Sequence, residues 1–578
     1  MSIRSTKKSL ALIAIALGSP CSGALAQSPA PAPSLVQPPT IATPPASTRI
    51  TLPQIAAGST VPDAAKKLTF ILTGIDIEGE FDEIAIARKE AAATLLGRSV
   101  TVADLFGLAD KLQQAYVRAG YPLVRVVILP QELDRRARVK LRVIDGYVEK
   151  FDTSTLSGTS AARVAAVLAP LLNKRRLTQS ELERQLLIAG DTPGLVLNAT
   201  FASGSAVGSS VLVLSGRYRP VSASLYLDNG MPKSFGEWQA ATYFSLNNLT
   251  GFGEQISISI AGLPDNDFVT PYPTRRYLGA NLAVPLGIDG WRFELGVTDG
   301  RTTPRVDAIF ASQGVFRQGR AKLAYDIVKR RDTELSFNAR FDLTEEQVST
   351  LITTPATPLS LDRTRVPRVG LDGILRLRES GTTLSYTATY SHGINALGAR
   401  SIADATPLLP LSRQGADAEF SKLDGRIDVM QTLPENLFLS AGLAGQTSFG
   451  RPMLTSEQFP IIGTNMLSGF AAGTLAGDTG WVGRGEFGWS TQLPFIAEPH
   501  AIVPYVFAAT GERRYEMPTV LEIPVIRANN YGGGMRFQLA PQAPDAPSLS
   551  GFVELSERRA SASSLDGWMV FAGGSIRY

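Results

Sequence analysis

The sequence predicts a transmembrane β-barrel of about 16 antiparallel strands, preceded by two small α/β domains. Residues 219–578 consist of short segments in which apolar and polar side chains alternate, with turn residues between them. Residues 68–218 carry the same succession of helical and strand patterns twice. Beyond the N-terminal leader, no apolar stretch is long enough to cross a bilayer as a helix, so any membrane-spanning part has to be built of strands.

Residues 1–26 have the pattern of a signal peptide. Basic residues precede an apolar run over residues 10–17, and Ala24-Leu25-Ala26 supplies the small residues of a cleavage site. The run is far shorter than the roughly 20 apolar residues of a membrane anchor. The sequence therefore predicts export, with Gln27 as the first residue of the mature chain.

Composition narrows the classes of function. Cys21, inside the leader, is the only cysteine, so the mature chain has no disulfide, thiolate metal site or cysteine nucleophile. Loss of the basic leader residues lowers the formal charge from +4 to +1, which gives no reason to expect nucleic acid as a partner. The two histidines, His392 and His500, lie in no recognisable nucleophile or metal-ligand motif. We therefore assign no catalytic, cofactor-binding or metal-binding residue, and an outer-membrane hydrolase is the less favoured alternative.

Two segments follow the leader. Residues 27–67 contain closely spaced prolines, which prevent a helix of useful length and predict a flexible periplasmic linker. Residues 68–150 predict a first α/β domain with the order strand, helical region, strand, strand. Thr101 and Asp104 have capping-box spacing at the start of its helix, and Gly120 is placed to end that helix.

Residues 151–218 repeat this plan and predict a second α/β domain. Thr178 and Glu181 form another capping-box pair, and a pair of strand patterns follows them. An internal repeat of roughly 70 to 80 residues indicates two related structural units.

Residues 219–578 predict the barrel itself, with apolar side chains facing lipid and polar ones facing the lumen. The last strand ends on Tyr578, and Trp568, Val570 and Ile576 share its face. Because a barrel has to pair its last strand with its first, we expect this strand to close the wall and Tyr578 to lie at a membrane interface. A large soluble sandwich or propeller is the alternative for these residues.

Several motifs resemble one known family. In the first α/β domain they are GYPLVRVVILPQ and VKLRVIDGYVEKF, and in the second LLNKRRLTQSELERQLLIAGDTPG. At the start of the barrel, LYLDNG and FSLNNLTGFGEQISIS resemble the family's first hairpin. From residue 68 to residue 578 the chain is similar to the haemolysin secretion/activation transporters of two-partner secretion, the TpsB type. These belong to the BamA-type superfamily of barrels that carry periplasmic POTRA domains.

This resemblance implies an outer-membrane pore of a Gram-negative bacterium, with POTRA domains in the periplasm. Such a pore recognises a large, unfolded exoprotein of the β-helical TpsA type and moves it to the cell surface without nucleotide hydrolysis. The resemblance also implies contact with outer-membrane lipid and insertion by the barrel-assembly machinery, for which Tyr578 is the expected signal. It implies no cofactor and no nucleic acid. The alternative is an outer-membrane protein assembly or insertase factor of the same superfamily, although such proteins commonly carry more POTRA domains.

The family's functional signature is a loop that folds back into the barrel and carries the motif Val-Arg-Gly-Phe or Val-Arg-Gly-Tyr. The matching segment here is PIIGTNMLSGFAAGTLAGDTG. In it Leu467, Gly469 and Phe470 align with the motif, and Ser468 replaces the arginine. The resemblance implies that these four residues form a gating loop.

The facing strand motif, Phe-x-Asp-x-Gly in the family, departs from the pattern in the same way. The matching strand is YVFAATG, in which Phe507 and Gly511 align and Ala509 replaces the aspartate. Either the wrong segments are aligned, or the charge pair has been lost as a unit, which avoids an unpaired charge. We favour the loss of the pair and expect Ser468 and Ala509 to face each other across the lumen.

Overall fold

A computed structural model describes residues 31–38, 48–51, 65, 68–263, 266–305, 311–492, 500–539 and 546–578. The predicted signal peptide lies outside these ranges, as does most of the predicted linker. Among the residues described, no helix combines the length and the apolar character needed to cross a membrane.

The first α/β domain packs two helices on a four-stranded sheet. A short strand, β1 (Arg49–Ile50), precedes it in the chain and joins the sheet of the second domain. The elements of the first domain are β2 (Thr69–Glu78), α1 (Ala85–Ala93), β3 (Ser99–Thr101), α2 (Val102–Arg118), β4 (Arg125–Ile128) and β5 (Arg136–Ile144). The strand order of its sheet is β3-β2-β5-β4, so β3 and β4 are the edges.

Helix α2 begins and ends where the sequence predicts. The Thr101 hydroxyl accepts a hydrogen bond from the Asp104 N–H at 3.1 Å, and the Asp104 carboxylate accepts one from the Thr101 N–H at 2.7 Å. The bonds from the Thr101 N–H and hydroxyl hold the pKa of Asp104 below its ordinary value. After the helix, Gly120 has a φ of +93°, which stops the helical path. The buried face of α2 carries Leu105, Leu108, Leu112 and Tyr116.

The second α/β domain has the same plan. Its elements are β6 (Tyr147–Asp152), α3 (Gly158–Leu168), α4 (Gln179–Gly190), β7 (Leu195–Ser203) and β8 (Ser209–Tyr218). Thr178 and Glu181 form the predicted capping box of α4. The strand order is β1-β7-β8-β6, so a strand from the proline-rich segment lies at the edge beside β7.

Strand β1 is a correction to the predicted linker. Its two residues pair in parallel with Asn198 and Ala199 of β7, and Ile50 is buried in the core of the domain. A Cβ atom on Gly190 would stand 1.6 Å from Thr48 Oγ1, so the absence of a side chain there leaves room for the approaching segment. This part of the proline-rich segment is therefore docked on the second domain and is not a free spacer.

The barrel wall consists of sixteen described strands, each antiparallel to its neighbours. They are β9 (Val221–Asp228), β10 (Gln239–Asn247), β11 (Gln255–Gly262), β12 (Arg275–Leu286), β13 (Trp291–Thr302), β14 (Ser312–Lys329), β15 (Thr333–Thr350), β16 (Thr357–Leu377), β17 (Thr382–His392), β18 (Ser421–Thr432), β19 (Leu437–Thr447), β22 (Thr479–Trp489), β23 (His500–Arg514), β24 (Val525–Leu539), β25 (Ser548–Ala560) and β26 (Gly567–Arg577). Two short strands, β20 (Phe459–Pro460) and β21 (Ala476–Gly477), pair with each other between β19 and β22. The predicted fold class is confirmed.

Strand β26 closes the barrel against β9. Ile576 pairs with Leu225, and Tyr578 exchanges backbone hydrogen bonds with Ala223 at 2.8 and 3.2 Å. The pairing runs to the last residue of the chain, so the described wall has no open edge at this seam. The Tyr578 side chain is exposed, like those of its apolar neighbours on the same face.

The two faces of the wall differ as the alternation predicts. Ile256, Ile258 and Ile260 of β11 are exposed on the outside of the barrel. Arg275 and Glu346 point inward and are buried. A wall with an apolar outside and a polar inside suits lipid around it and not water, which sets aside the soluble sandwich or propeller.

The two ends of the barrel also differ. At the end that we call the near end, Arg184 of the second α/β domain donates to the carbonyls of Asp289 and Asp326, at 2.8 Å each. At the opposite end, the far end, the long connections 393–420 and 448–478 leave the wall. The second α/β domain is thus attached to the near end.

Residues 31–38 lie inside the barrel, toward its far end. Ser34 donates from its N–H and its hydroxyl to the two oxygens of Glu346, at 2.8 and 2.9 Å. The Tyr277 hydroxyl donates to the Pro33 carbonyl. The prediction of a periplasmic linker is therefore wrong for these residues, because they contact the inner wall of the barrel.

Candidate gating site in the barrel lumen

The connection between β19 and β22, residues 448–478, folds back into the lumen. Its tip contacts inward-facing side chains of β22, β24 and β25. Leu467, Ser468 and Phe470 at this tip are all buried. The segment that matches the family's loop therefore lies in the lumen, and its part in gating stays a prediction.

Ser468 is bound by two charged residues of the wall. Its hydroxyl donates to Glu554 Oε2 on β25 at 2.6 Å and accepts a hydrogen bond from Arg484 Nη1 on β22 at 2.8 Å. Arg484 Nη2 lies 2.7 Å from Glu554 Oε1. The hydroxyl therefore joins an ion pair that two strands of the wall form with each other.

The charge pair of the two family motifs is absent at positions 468 and 509, and a different ion pair, Arg484 with Glu554, lies in the same part of the lumen. Ser468 and Ala509 carry no charge, but Arg484 is the cross-strand partner of Ala509 in the register of β22 and β23. A guanidinium group is thus present in this part of the lumen, and it comes from the wall instead of the loop tip. The side-chain hydrogen bonds of Ser468 go to Arg484, Asn530 and Glu554, not to position 509.

Further contacts fix the position of the Arg484 guanidinium. Its Nε donates to Glu486 Oε1 at 2.7 Å, and its centre lies 3.7 Å from the centroid of the Phe507 ring. The Tyr505 hydroxyl donates to Glu554 Oε1. Arg484 and Glu554 are only 6% and 2% exposed, and Arg484 is shared between Glu486 and Glu554, while Glu554 forms its ion pair with Arg484.

Gly469 allows the loop tip to approach the wall closely. Its N–H donates to Asn530 Oδ1 at 3.1 Å, and its carbonyl accepts from Arg558 Nη1 at 3.1 Å. A Cβ atom at this position would stand 2.5 Å from Asn530 Nδ2 and 3.0 Å from Ser556 Oγ. Any other residue would therefore push the tip away from β24 and β25.

The apolar residues around the tip form one cluster. Leu467, Phe470 and Ala509 belong to it. Phe507 and Gly511 lie on the same inward face of β23 as Ala509. The structure thus brings the residues of both motifs together, while the polar contacts of the tip go to residues that the motifs do not contain.

A second anchor holds the loop nearer its start. Glu457 accepts a hydrogen bond from Arg368 Nη2 at 2.7 Å and pairs with Lys422 Nζ at 2.9 Å. Arg368 also donates to Asp342 at 2.8 Å. All four side chains are buried. This anchor could not be found from the sequence, because its members come from separate parts of the chain and share no local spacing.

Charges placed at both motif positions should have coupled effects on the channel. Ser468→Arg puts a second guanidinium beside Arg484 and removes the hydroxyl from Glu554, so we expect the loop tip to leave the wall. Ala509→Asp puts a carboxylate beside Arg484 on the neighbouring strand, where it can pair with either guanidinium. The double variant should therefore recover most of the closure that Ser468→Arg loses, as measured by single-channel conductance in a double-mutant cycle.

Ser468→Ala is the control, because it removes the hydroxyl and adds no charge. It should lower the stability of the closed state by about 1.5 to 3 kcal/mol, because the hydroxyl is hydrogen-bonded to charged groups. If the effects of Ser468→Arg and Ala509→Asp simply add, the two positions do not interact and the alignment of the motifs is wrong.

Comparisons with known proteins identify the family. The model of the family "Haemolysin secretion/activation protein ShlB/FhaC/HecB" matches residues 208–518, which is more than half of the chain. The model of the ShlB-type POTRA domain matches residues 70–146. The resemblance expected from the sequence is confirmed.

Individual relatives agree with this family. The heme/hemopexin transporter protein HuxB of Haemophilus influenzae strain 86-028NP is 24% identical over 466 residues, covering 78% of this chain and 77% of HuxB. The outer membrane transporter CdiB of Dickeya dadantii strain 3937 is 22% identical over 442 residues, covering 76% of this chain and 74% of CdiB. The solved structure of CdiB from Escherichia coli superposes with a TM-score of 0.66 and 16% identity, over 95% of this chain and 94% of that one, which is a likeness of fold. This chain therefore belongs to the haemolysin secretion/activation protein family ShlB/FhaC/HecB, and it is an outer-membrane transporter and not an enzyme.

Proposed function

We propose that this chain is the pore of a two-partner secretion system, which moves one large unfolded exoprotein from the periplasm to the cell surface. The observation that carries the proposal is a closed barrel with a POTRA-type module at its near end and a filled lumen. The near end is then the periplasmic end, and the far end opens at the cell surface. A passive porin would need neither the docking domains nor the folded-back loop.

The client is recognised in the periplasm by strand addition to the α/β domains. An extended chain can add to an exposed sheet edge through main-chain hydrogen bonds. Strand β1 supports this proposal, because it is itself an extended segment on the β7 edge, where the Thr51 N–H donates to the Ala199 carbonyl at 2.9 Å. A client strand at the same edge would replace β1.

Passage of a client requires the lumen to open. The loop tip around Ser468 and the N-terminal residues 31–38 both occupy the lumen and both bind the inner wall. We infer that these two segments move aside together or in turn, and that folding of the client outside the cell biases its movement outward.

The experiment measures binding of the N-terminal domain of a candidate client, a large secreted β-helical exoprotein of the same organism, to the full-length transporter in detergent. We expect a dissociation constant in the micromolar range, which is about 8 kcal/mol of binding free energy. Ile50→Asp should tighten the binding several-fold, since a buried aspartate would release β1 from the edge of β7.

Val207→Asp is the matched control, because it makes the same change at an exposed turn of the same domain and should leave binding unchanged. The proposal fails if neither the unmodified chain nor the Ile50→Asp variant binds the domain.

The last strand of the barrel also has a proposed role in insertion into the outer membrane. The barrel-assembly machinery inserts the barrel into outer-membrane lipid and reads the last strand, which ends on Tyr578, as its signal. The support is the apolar outer face of β26 and its pairing with β9 up to the final residue.

A further inference from the structure

The outer face of the barrel carries a group of charged side chains at the far end of strands β12–β16. Alternate residues of these strands face lipid, as the exposure of Leu278, Val297 and Leu343 indicates. The charged residues that share this outward face toward the far end are Arg276, Asp299, Arg301, Arg317, Glu345, Arg363 and Arg365. We call them the arginine group.

The arginine group lies directly beside a row that is apolar except for Arg365, the member of the group at the end of that row. In the register of the strands, Asp299 pairs with Arg317, Arg317 with Glu345, and Glu345 with Arg363. The next outward row toward the near end consists of Ala280, Val297, Gly319, Leu343 and Arg365. Charge and apolar surface therefore meet at one level of the wall.

A groove opens on the outside of the wall at this level. It has a volume of about 710 Å³, and its charged rim consists of Arg317 and Arg365 with Asp299 and Glu345. Its apolar sides include Ile258, Leu278, Val297 and Leu343. Gly319 leaves space at the bottom of the groove, because it has no side chain. An added Cβ atom there would meet nothing closer than Leu343 Cδ1 at 3.8 Å. The groove is thus charged at one end and apolar along the rest.

Positive charge is in excess in the arginine group, where five arginines meet two acidic residues. The acids are already engaged: Asp299 lies 3.4 Å from Arg301 and from Arg317, and Glu345 lies 2.7 Å from Arg363. On the opposite flank of the barrel, the described parts of β23–β25 carry positive and negative outward charges in more equal number. These residues are Glu512, Arg514, Arg527, Glu557 and Arg559.

An excess of cations on a lipid-facing wall calls for anionic partners. Charged side chains are tolerated on the outside of a barrel toward the interface, where the headgroups lie. Guanidinium groups hold phosphate through paired, charge-assisted hydrogen bonds. The rim gains its positive excess from the neighbouring Arg276, Arg301 and Arg363, and a positive region with an apolar groove directly beside it matches an amphiphile and not a free anion.

We propose that this groove binds a phosphorylated glycolipid of the outer leaflet. Its phosphate contacts Arg317 and Arg365, and an acyl chain lies along Val297 and over Gly319. The POTRA domains of this family are periplasmic, so the far end faces the cell surface. The groove therefore lies in the outer leaflet of the membrane. The bound lipid neutralises the excess charge of the arginine group and holds β12–β16 at a fixed depth in the membrane.

The test compares three probes on the full-length protein in detergent: bisphosphorylated lipid A, the same lipid without its phosphates, and inorganic phosphate. We expect only the bisphosphorylated lipid to raise the thermal unfolding temperature of the unmodified chain. Arg317→Gln combined with Arg365→Gln should weaken its binding about ten-fold or more. Gly319→Leu should also weaken binding, because it fills the groove without a change of charge.

Arg527→Gln combined with Arg559→Gln is the matched control on the opposite flank and should bind lipid A like the unmodified chain. The proposal is overturned if both double variants respond alike, or if Gly319→Leu binds lipid A undiminished. It is also overturned if inorganic phosphate or the dephosphorylated lipid stabilises the chain as much as lipid A does. Secretion plays no part in the readout, so the result is independent of the proposed client.

Discussion

Replacing Arg484 with alanine should destabilise the barrel by on the order of 3 kcal/mol and release the loop tip. The change leaves the Glu554 carboxylate buried, with the hydroxyls of Ser468 and Tyr505 as its remaining donors. Removal of one member of a buried ion pair is more harmful than removal of both, because the other charge stays without a counter-charge and without water. The measurements are the free energy of unfolding in urea and the single-channel conductance, which should rise.

Two variants control this prediction. Arg426→Ala breaks another lumenal pair, Arg426 with Asp428 at 2.6 Å, but that pair is about a third exposed and should cost no more than about 1 kcal/mol. Arg484→Met combined with Glu554→Met removes both buried charges and should restore much of the stability. If Arg484→Ala and Arg426→Ala lower the free energy of unfolding equally, the buried pair of Arg484 with Glu554 stabilises the barrel no more than a partly exposed pair does.

Deleting residues 31–38 should raise the single-channel conductance several-fold. These residues contact the wall through Ser34 and Pro33 and fill part of the lumen that the loop does not fill. Their removal leaves the inward-facing Glu346 and Tyr277 to water, which a polar lumen accommodates. The measurement is conductance in planar bilayers, with the protein's heat stability recorded to show that the barrel itself is intact.

Deletion of residues 54–61, also eight residues of the same proline-rich segment, is the control and should leave the conductance unchanged. Glu346→Ala should have an intermediate effect, since it removes both hydrogen bonds of Ser34 and leaves the rest of the segment in place. Unchanged conductance after deletion of 31–38 would mean that the loop alone closes the pore.

Much of the fold could be predicted because its signals are local. The alternation of Ile256, Ile258 and Ile260 identifies a wall strand within a few residues, and Thr101 with Asp104 marks the start of a helix. The position of residues 31–38 could not be predicted in this way. Proline-rich composition sets the preferred backbone but not the partner, and Ser34 meets a carboxylate 312 positions further along the chain.

The candidate site was only partly visible in the sequence. Leu467, Gly469 and Phe470 stand in a recognisable order, so their segment could be found. The ion pair of Arg484 with Glu554 joins residues 70 positions apart, and no local spacing connects them. One signal was available, because the period of two places an arginine on the lumenal face of β22. Since the loop motif has Ser468 in place of its arginine, an inward-facing arginine on the neighbouring wall strand indicates that the wall supplies the positive charge instead.

The most direct test of the central claim is the amount of exoprotein that reaches the cell surface. Cells that produce the exoprotein identified by the binding experiment should export it when the full-length chain is present. They should retain it when the chain is absent or lacks residues 69–218. Equal export in all three strains would contradict the account, and so would unchanged export accompanied by loss of unrelated outer-membrane barrels, which would indicate an assembly factor instead of a secretion pore.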